Sequence, residues 1–338
     1  MSDRPIPISA ILRGSGIAFG EKTIPSGQID AAFGMPAGKL QHRAGILSVA
    51  RAGEGQKEVT LGAAAAREAL AAEGSAAVRE LDWILAASET HNEYPALAAQ
   101  IHLAIGAREE CGALDLGGAC LGFVHALAVA KAFVQSGQGR NVLVVTADVH
   151  SRILTPERVA GEFGGLFGDG AAAFLVQRND PARGGENKND FELRELFFGC
   201  ATQFQAAIQV SATPHDQLKV VFDGDALSRA ATARLTDCIA ELEKRSGIAR
   251  GDVAAFATHQ PNPRLVALLA KKAGLAAEKF PLVADVRGNL GSTTCAAALH
   301  LALQSVGGSD VAGERKAIFV ASLGPGLLFG GGWLKQLE

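Results

Sequence analysis

Short apolar runs alternate along the chain with stretches in which apolar positions recur every three to four residues, the pattern of strands interleaved with helices. Residues 81–87 (LDWILAA) read as a buried strand, 96–105 as a helix, 112–116 as a strand, 119–135 as a helix and 141–147 as a strand. The same order returns later, with a strand at 253–257, a helix at 264–273, a strand at 280–286, a helix at 292–304 and a strand at 316–322. Gly168-Asp169-Gly170 lacks the Lys-Ser/Thr of a phosphate loop and reads as a tight turn entering a strand over 171–176. This alternation predicts an α/β fold.

The two halves also match in residues. ILAASETHNEYPALAAQIHLAIG answers AAFATHQPNPRLVALLAKKAGL, ALDLGGACLGFVHALAVAKAFVQSG answers LVADVRGNLGSTTCAAALHLALQSVG, and NVLVVTADV with FGDGAAAFLV answers AIFVASLGPG with FGGGWL. Three such pairs in one order, offset by roughly 165 to 175 positions, about one domain length, indicate an internal duplication. The join falls in the polar stretch 177–190 (QRNDPARGGENKND), which has turn formers and no apolar periodicity. The expected units are therefore residues 1–180 and 181–338. Duplicated halves create an interface, and clefts between domains are where small-molecule sites form, so chemistry should draw on both.

Composition narrows the class. The chain has 338 residues, 48% apolar and 20% charged, with 32 Lys+Arg against 35 Asp+Glu and a net charge of −3. Those values exclude disorder and give no general attraction to nucleic acid or an anionic membrane surface. The start, MSDRPIPISAILRG, lacks a charged segment followed by an apolar core, and no uninterrupted run of about 18 apolar residues occurs, so the expectation is a cytoplasmic protein without a membrane segment. Cys111, Cys120, Cys200, Cys238 and Cys295 are odd in number and never form C-x-x-C or sit at metal-ligand spacing beside His. Neither a disulfide framework nor a metal site is expected.

Cys120 follows a strand in DLGGAC and stands at the first turn of a helix that is apolar nearly all round (Leu121, Phe123, Val124, Ala126, Leu127). Such a helix is buried, and its N-terminus carries free amides and a partial positive charge that should lower the thiol pKa. The glycines before it allow close approach, and the Cys120 N–H can serve an oxyanion. By itself the position leaves open a reactive thiol or inert packing. His259 ends a strand in ATHQPNPR, and Asn289 lies in RGNLGS between a strand and a helix, each of which suits a turn or capping role as well as a catalytic one. The duplication makes the Asn289 loop the counterpart of the Cys120 loop, so the two should face each other with His259 alongside. His91 reads as a structural loop residue and His125 as a hydrogen-bonded core residue.

DLGGACLGF around Cys120, FGDGAAAFLV from Phe167, THQPNPR around His259, RGNLGS around Asn289 and SLGPG near the C-terminus occur in this order over nearly the whole chain. In these motifs the chain resembles the thiolase-fold condensing enzymes, most closely the β-ketoacyl-acyl-carrier-protein synthase III family. The resemblance implies a thiolase fold of two duplicated α/β halves about a pseudo-twofold, layered α-β-α-β-α, with the cysteine in the first half and the histidine and asparagine in the second. It implies a Cys120, His259, Asn289 triad: Cys120 takes an acyl group from a thioester, and His259 and Asn289 stabilise the enolate formed when a malonyl thioester loses carbon dioxide.

The same resemblance places an acyl oxyanion hole at the Cys120 amide and a second amide in Leu323-Gly324-Pro325-Gly326. Pro325 has no N–H, which leaves Gly324 or Gly326. It assigns Arg43 to coenzyme A phosphates, although Lys39 stands where relatives carry an adenine-stacking Trp. Arg264, Lys271 and Lys272, two helical turns apart, are assigned to docking an acidic acyl carrier protein, with a solvated basic helix as the alternative. Tyr94 is assigned to limiting the acyl pocket of a partner in a homodimer, with an edge-of-core Tyr as the alternative. Acyl-CoA and malonyl carrier protein are implied as substrates, with no cofactor or metal. Two other functions stay open: acyl transfer without carbon–carbon bond formation, and a non-catalytic partner subunit.

Overall fold

A computed structural model describes residues 8–74, 76–159, 161–180, 190–212, 218–307 and 316–337. The strands are β1 Ala10–Phe19, β2 Lys22–Pro25, β3 Ser48–Arg51, β4 Trp83–Ala87, β5 Gly112–Leu116, β6 Asn141–Val149, β7 Asp169–Arg178, β8 Phe191–Cys200, β9 Ile208–Ala212, β10 Leu218–Phe222, β11 Ala255–Thr258, β12 Ala317–Gly324 and β13 Leu328–Gln336. The helices are α1 Ser26–Ala32, α2 Glu58–Ala71, α3 Leu97–Ile105, α4 Gly122–Ser136, α5 Glu162–Leu166, α6 Gly224–Ser246, α7 Pro263–Ala273, α8 Ala284–Arg287 and α9 Ser292–Gly307.

Nine strands form one sheet in the order β11-β12-β13-β8-β1-β7-β6-β4-β5. Outward from the β1–β8 pair, each side repeats the same relations. β7 pairs antiparallel with β1 and β6, and β6 parallel with β4; likewise β13 pairs antiparallel with β8 and β12, and β12 parallel with β11. The internal likeness of the sequence is thus a likeness of topology. The proposed join between the halves lies largely in residues 181–189, outside the described residues.

Alternation along the strands sorts side chains into three cores, because successive residues of a strand point to opposite faces. The middle core joins α4 and α9 to both arms of the sheet, with Val142 and Val144 of β6 and Ile318 and Val320 of β12. Leu143 and Val145 of β6 turn the other way, toward α2 and α3. Phe319 and Ala321 of β12 turn toward α6 and α7. Helices, sheet arm, helices, sheet arm and helices therefore follow one another, the five layers that the resemblance implies.

Three details differ from the sequence reading. Residues 280–286 form no strand: an irregular segment leads into the single turn α8. The cause is Gln260, fully buried, whose Nε2 donates to the Pro281 carbonyl at 2.6 Å while its Oε1 accepts from the amides of Val283 at 2.9 Å and Ala284 at 3.2 Å. One side chain satisfies the backbone groups that a neighbouring strand would otherwise have taken. The sheet consequently ends at β11 on this side, whereas β5 closes the other.

The second difference concerns Asp169. It opens β7 rather than a turn before it, fully buried, and its carboxylate accepts from the amides of Ala52 at 2.6 Å and Ser151 at 2.9 Å. Third, Ala119–Ser136 is long and apolar enough on average to pass as a membrane span, although half of that segment is buried. Phe123, Val124, Ala126, Leu127, Ala130 and Val134 of α4 are all fully buried in the middle core, which accounts for the composition of the helix.

Candidate active site

The chain reaches Cys120 through an unusual turn. Gly118 has φ 130° and Ala119, which carries a side chain, has φ 47°, in the left-handed region that costs a non-glycine residue about 1–2 kcal/mol. Added bulk at Gly118 would strike the His125 ring at 2.4 Å. His125 Nδ1–H donates to the Gly117 carbonyl at 3.0 Å, so the histidine holds the glycine loop, although it is half-buried rather than a core residue. His91 likewise serves its loop, with Nε2 3.2 Å from the Pro95 carbonyl.

Cys120 itself lies in a 3-10 turn, Ala119–Leu121, immediately before α4 rather than in the first turn of that helix. The Ser322 hydroxyl donates to its carbonyl at 2.7 Å, tying the turn to β12. Space is scarce there, since a Cβ on Gly324 would lie 2.9 Å from the Gly118 carbonyl oxygen and 3.6 Å from the Cys120 amide. Only a glycine lets β12 approach so closely.

His259 extends the pairing of β11 with β12, its amide donating to the Ala321 carbonyl at 3.0 Å. Its ring is 3% exposed, and burial, opposed weakly by the negative charge of Glu89, pulls its pKa down to about 4. The imidazole is therefore neutral at pH 7, and its Nδ1 has no hydrogen-bond partner among the described residues.

Asn289 is held from both sides. Its backbone bridges to Phe167, with its amide donating to the Leu166 carbonyl at 2.9 Å and its carbonyl accepting from the Gly168 amide at 2.8 Å. Its side-chain Oδ1 accepts from the Gly291 amide at 3.0 Å and the Thr294 hydroxyl at 3.2 Å. With the oxygen committed, the two Nδ2 hydrogens are the groups left for the cavity.

The structure gathers these three residues around one hollow. Cys120, His259 and Asn289 all line a cavity of about 360 Å³, as do Arg43, Arg264 and Gly324. Its walls include Phe163, Leu166, Phe167, Ile208, Phe222 and Leu227, so an apolar space adjoins the polar centre. The starts of α4 and α9 also meet, as the duplication predicts, since a Cβ on Gly122 would lie 3.8 Å from that of Ser292. Gly326 is not among the lining residues. Lys271 and Lys272 are exposed on the last turn of α7, beyond Arg264 at the rim. Tyr94 is 98% exposed and does not line the cavity of its own chain.

The electrostatics correct one expectation. Burial, with Glu89 and then Asp148 adding to it, pushes the Cys120 thiol well above its ordinary range, whereas its own amide lowers it only weakly. Desolvation and neighbouring carboxylates thus outweigh the backbone amide, and the thiol is held protonated. Glu89, which sequence reasoning missed, faces that thiol and lies with one carboxyl oxygen 3.6 Å from His150 Nε2. Burial acts to raise Glu89, but the nearby His150 and its charge outweigh it and leave the group below its usual value. His150 is raised in turn: burial acts against its charge, and Glu89 and Asp148 overcome it. Asp148, buried near Glu89, is raised to about 6. The available signal was an acidic residue two positions after an apolar strand, at the strand end where ligand sites of open α/β sheets lie. Among the described residues no group of three His, Cys, Asp or Glu is arranged to hold a metal.

A buried thiol, a neutral imidazole and an oriented carboxamide around one hollow, set between duplicated α/β halves, define a condensing enzyme of the thiolase fold. Residues 114–193 match the family model for 3-oxoacyl-(acyl-carrier-protein) synthase III and residues 243–335 the model for its C-terminal part, together about half of the chain. The chain belongs to the 3-oxoacyl-(acyl-carrier-protein) synthase III family and is an acyl-transferring condensing enzyme.

Relatives match from end to end. The β-ketoacyl-(acyl-carrier-protein) synthase III of Rhizobium meliloti is 28% identical over 328 residues, covering 96% of this chain and 98% of the relative. That of Acidiphilium cryptum is 29% identical over 324 residues, covering 95% and 97%. Among solved structures, the priming β-ketosynthase of a polyketide biosynthetic pathway superposes with a TM-score of 0.83 at 25% identity, covering 100% of this chain and 99% of that one. The synthase III of Aquifex aeolicus superposes with the same TM-score at 24% identity, covering 96% and 99%, a likeness of fold.

Proposed function

We propose that Cys120 takes an acyl group from a thioester and passes it to the enolate of a malonyl thioester, giving a 3-oxoacyl thioester and carbon dioxide. The observation that carries this reading is the orientation of Asn289: its oxygen is bonded to Gly291 and Thr294, so its N–H groups are available in the cavity that Cys120 and His259 share.

In the first half, the Cys120 sulfur attacks the thioester carbonyl, the carrier thiol leaves, and the Cys120 N–H meets the carbonyl oxygen as its charge develops. Gly324, in the cavity wall beside that amide, is the second donor. In the second half the malonyl group loses carbon dioxide, and the enolate oxygen receives hydrogen bonds from His259 Nε2–H and Asn289 Nδ2–H. A neutral imidazole suits this role because it gives up no proton to solvent near pH 7, and an enolate hole is what simple acyl transfer does not need.

The substrates are an acyl-CoA and a malonyl acyl carrier protein, with no cofactor. Arg43 and Arg264 at the rim bind phosphates of the incoming thioester carriers. Lys271 and Lys272 extend this basic face along α7 toward an acidic carrier protein. The enzyme acts in the cytoplasm as a homodimer. The exposed edge strand β5, the fully exposed Tyr94 and Leu103, 83% exposed, support such an interface, where Tyr94 would limit the partner's acyl pocket to short or medium chains.

The test is to incubate the protein with a panel of acyl thioesters, identify by mass spectrometry the acyl group on Cys120, and add malonyl carrier protein. The expected result is a 3-oxoacyl product two carbons longer with release of carbon dioxide. Failure of every thioester to acylate Cys120 would overturn the reading.

A further inference from the structure

Glu89 follows β4 and is placed with care. Its amide donates to Asp148 Oδ1 at 2.6 Å, and Asp148 is itself fixed by the Ser292 hydroxyl at 2.6 Å. Its carboxyl abuts Gly291, where a Cβ would lie 2.9 Å from it, so glycine at this point of the Asn289 loop leaves room for the carboxylate. One carboxyl oxygen lies near His150 Nε2. The other, Oε1, is buried and has no hydrogen-bond partner among the described residues, and the carboxyl group lies beside the Cys120 thiol.

His150 is locked in the orientation that this contact needs. Its Nδ1–H donates to the Gly168 carbonyl at 3.1 Å, and its ring stacks on Phe167 at 4.5 Å. The Gly168 carbonyl thus orients the imidazole, and the imidazole stands beside the carboxylate that neighbours the Cys120 thiol. Glu89 is absent from the cavity wall, so it reaches the thiol from the side away from the incoming thioester.

We propose that Glu89 is the general base of the acylation step, taking the proton from Cys120 Sγ, with His150 as the positioning residue that holds the carboxylate. This rests on Cys120 as the nucleophile. As sulfur bonds to the acyl carbon, the Sγ proton moves to Glu89. As the bond from that carbon to the carrier sulfur breaks, the departing thiolate takes its proton from solvent in the open cavity. Glu89 keeps the Sγ proton until the acyl group leaves the sulfur and then returns it, so one thiol is consumed and one released and the carboxylate is restored. A base is required because burial, the largest cause of the raised thiol, and the charge of Asp148 keep it from ionising spontaneously even without Glu89. His259 is a poor alternative, since its buried imidazole takes up a proton only near pH 4.

The test compares wild type with Glu89→Gln and Glu89→Asp in two assays over pH 6 to 9.5: single-turnover acylation by an acyl-CoA, and alkylation of Cys120 by iodoacetamide, which needs no acyl cargo. Glu89→Gln should slow acylation at pH 7 about 100-fold, within the range for a lost general base. The loss should shrink as pH rises and hydroxide takes over the deprotonation, with both rates climbing toward wild type near the top of the range. Glu89→Asp should restore part of the rate and the flatter wild-type profile. Unchanged rates in Glu89→Gln would overturn the proposal, and so would a loss of equal size at every pH, the mark of a structural role. Wild type that is alkylated but never acylated would instead count against the acyl-transfer reading of Cys120.

Discussion

Asn289 Oδ1 accepts the Gly291 amide at 3.0 Å, and this one hydrogen bond decides which end of the carboxamide faces the cavity. The Thr294 hydroxyl, one turn on, seals the choice. A donor is thereby presented to the cavity shared with Cys120 and His259, from a loop whose own backbone is pinned to Leu166 and Gly168.

Replacing that donor separates the two half-reactions. Asn289→Asp keeps an acceptor for the Gly291 amide but puts a carboxylate oxygen in place of Nδ2. Malonyl-dependent carbon dioxide release should fall by about 10²- to 10³-fold, the usual cost of losing an oxyanion donor, while acylation of Cys120 persists. Radiolabelled malonyl carrier protein and mass spectrometry of the acyl-enzyme measure the two halves independently.

His259 links stability to pH with a defined sign. Its pKa falls from 6.5 to about 4 on folding, so between these values the unfolded chain binds a proton that the native chain excludes. Its contribution is present above pH 6.5 and is lost as pH falls toward 4, by at most about 3 kcal/mol. Asp148, raised to about 6, has the opposite sign and is common to both proteins in a comparison of wild type with His259→Asn. The difference in unfolding free energy between them, from urea titrations at pH 4.5 to 7, should change in favour of wild type as pH rises.

Arg43 and Arg264 share the rim of the cavity and are both exposed. Alanine at either should raise KM for an acyl-CoA about two- to fivefold, the effect of an exposed charge pair, with kcat little changed and the effect fading in high salt. Lys271→Ala and Lys272→Ala, farther along α7, should be silent with acyl-CoA and weaken only a carrier-protein substrate. Steady-state kinetics with both carriers distinguish these outcomes.

Gln260 stands in for a strand. Gln260→Ala would leave the buried amides of Val283 and Ala284 and the Pro281 carbonyl without this partner, at a cost of about 3 kcal/mol. Because this segment leads to Asn289, carbon dioxide release should fall more than acylation of Cys120. Urea denaturation and the two half-reaction assays check both effects.

Much of the fold was legible because strands and helices write different periods into a chain. β4, β5, β6, α3 and α7 fall within two residues of where the apolar pattern predicts them. The segment 280–286 misled because its apolar residues match those of a strand, while the groups that bond its backbone belong to Gln260, distant in sequence and silent about its direction. That Cys120, His259 and Asn289 stand at the ends of strands and starts of helices was legible from their motifs, and the structure brings them to one cavity. Glu89 was not legible, since an acidic residue after a strand is commonplace until a thiol is found beside it.

The sequence by itself determined the alternation of elements, the internal duplication and the reactive residue types, all of which depend on local periodicity or on likeness between segments. Only the tertiary structure decided that Cys120, His259 and Asn289 share a cavity, that the carboxamide of Asn289 turns its nitrogen inward, and that the thiol is raised rather than lowered in pKa. Those outcomes depend on desolvation and on charges brought together across the fold, such as Glu89 beside Cys120, and neither quantity exists until the chain has closed around them.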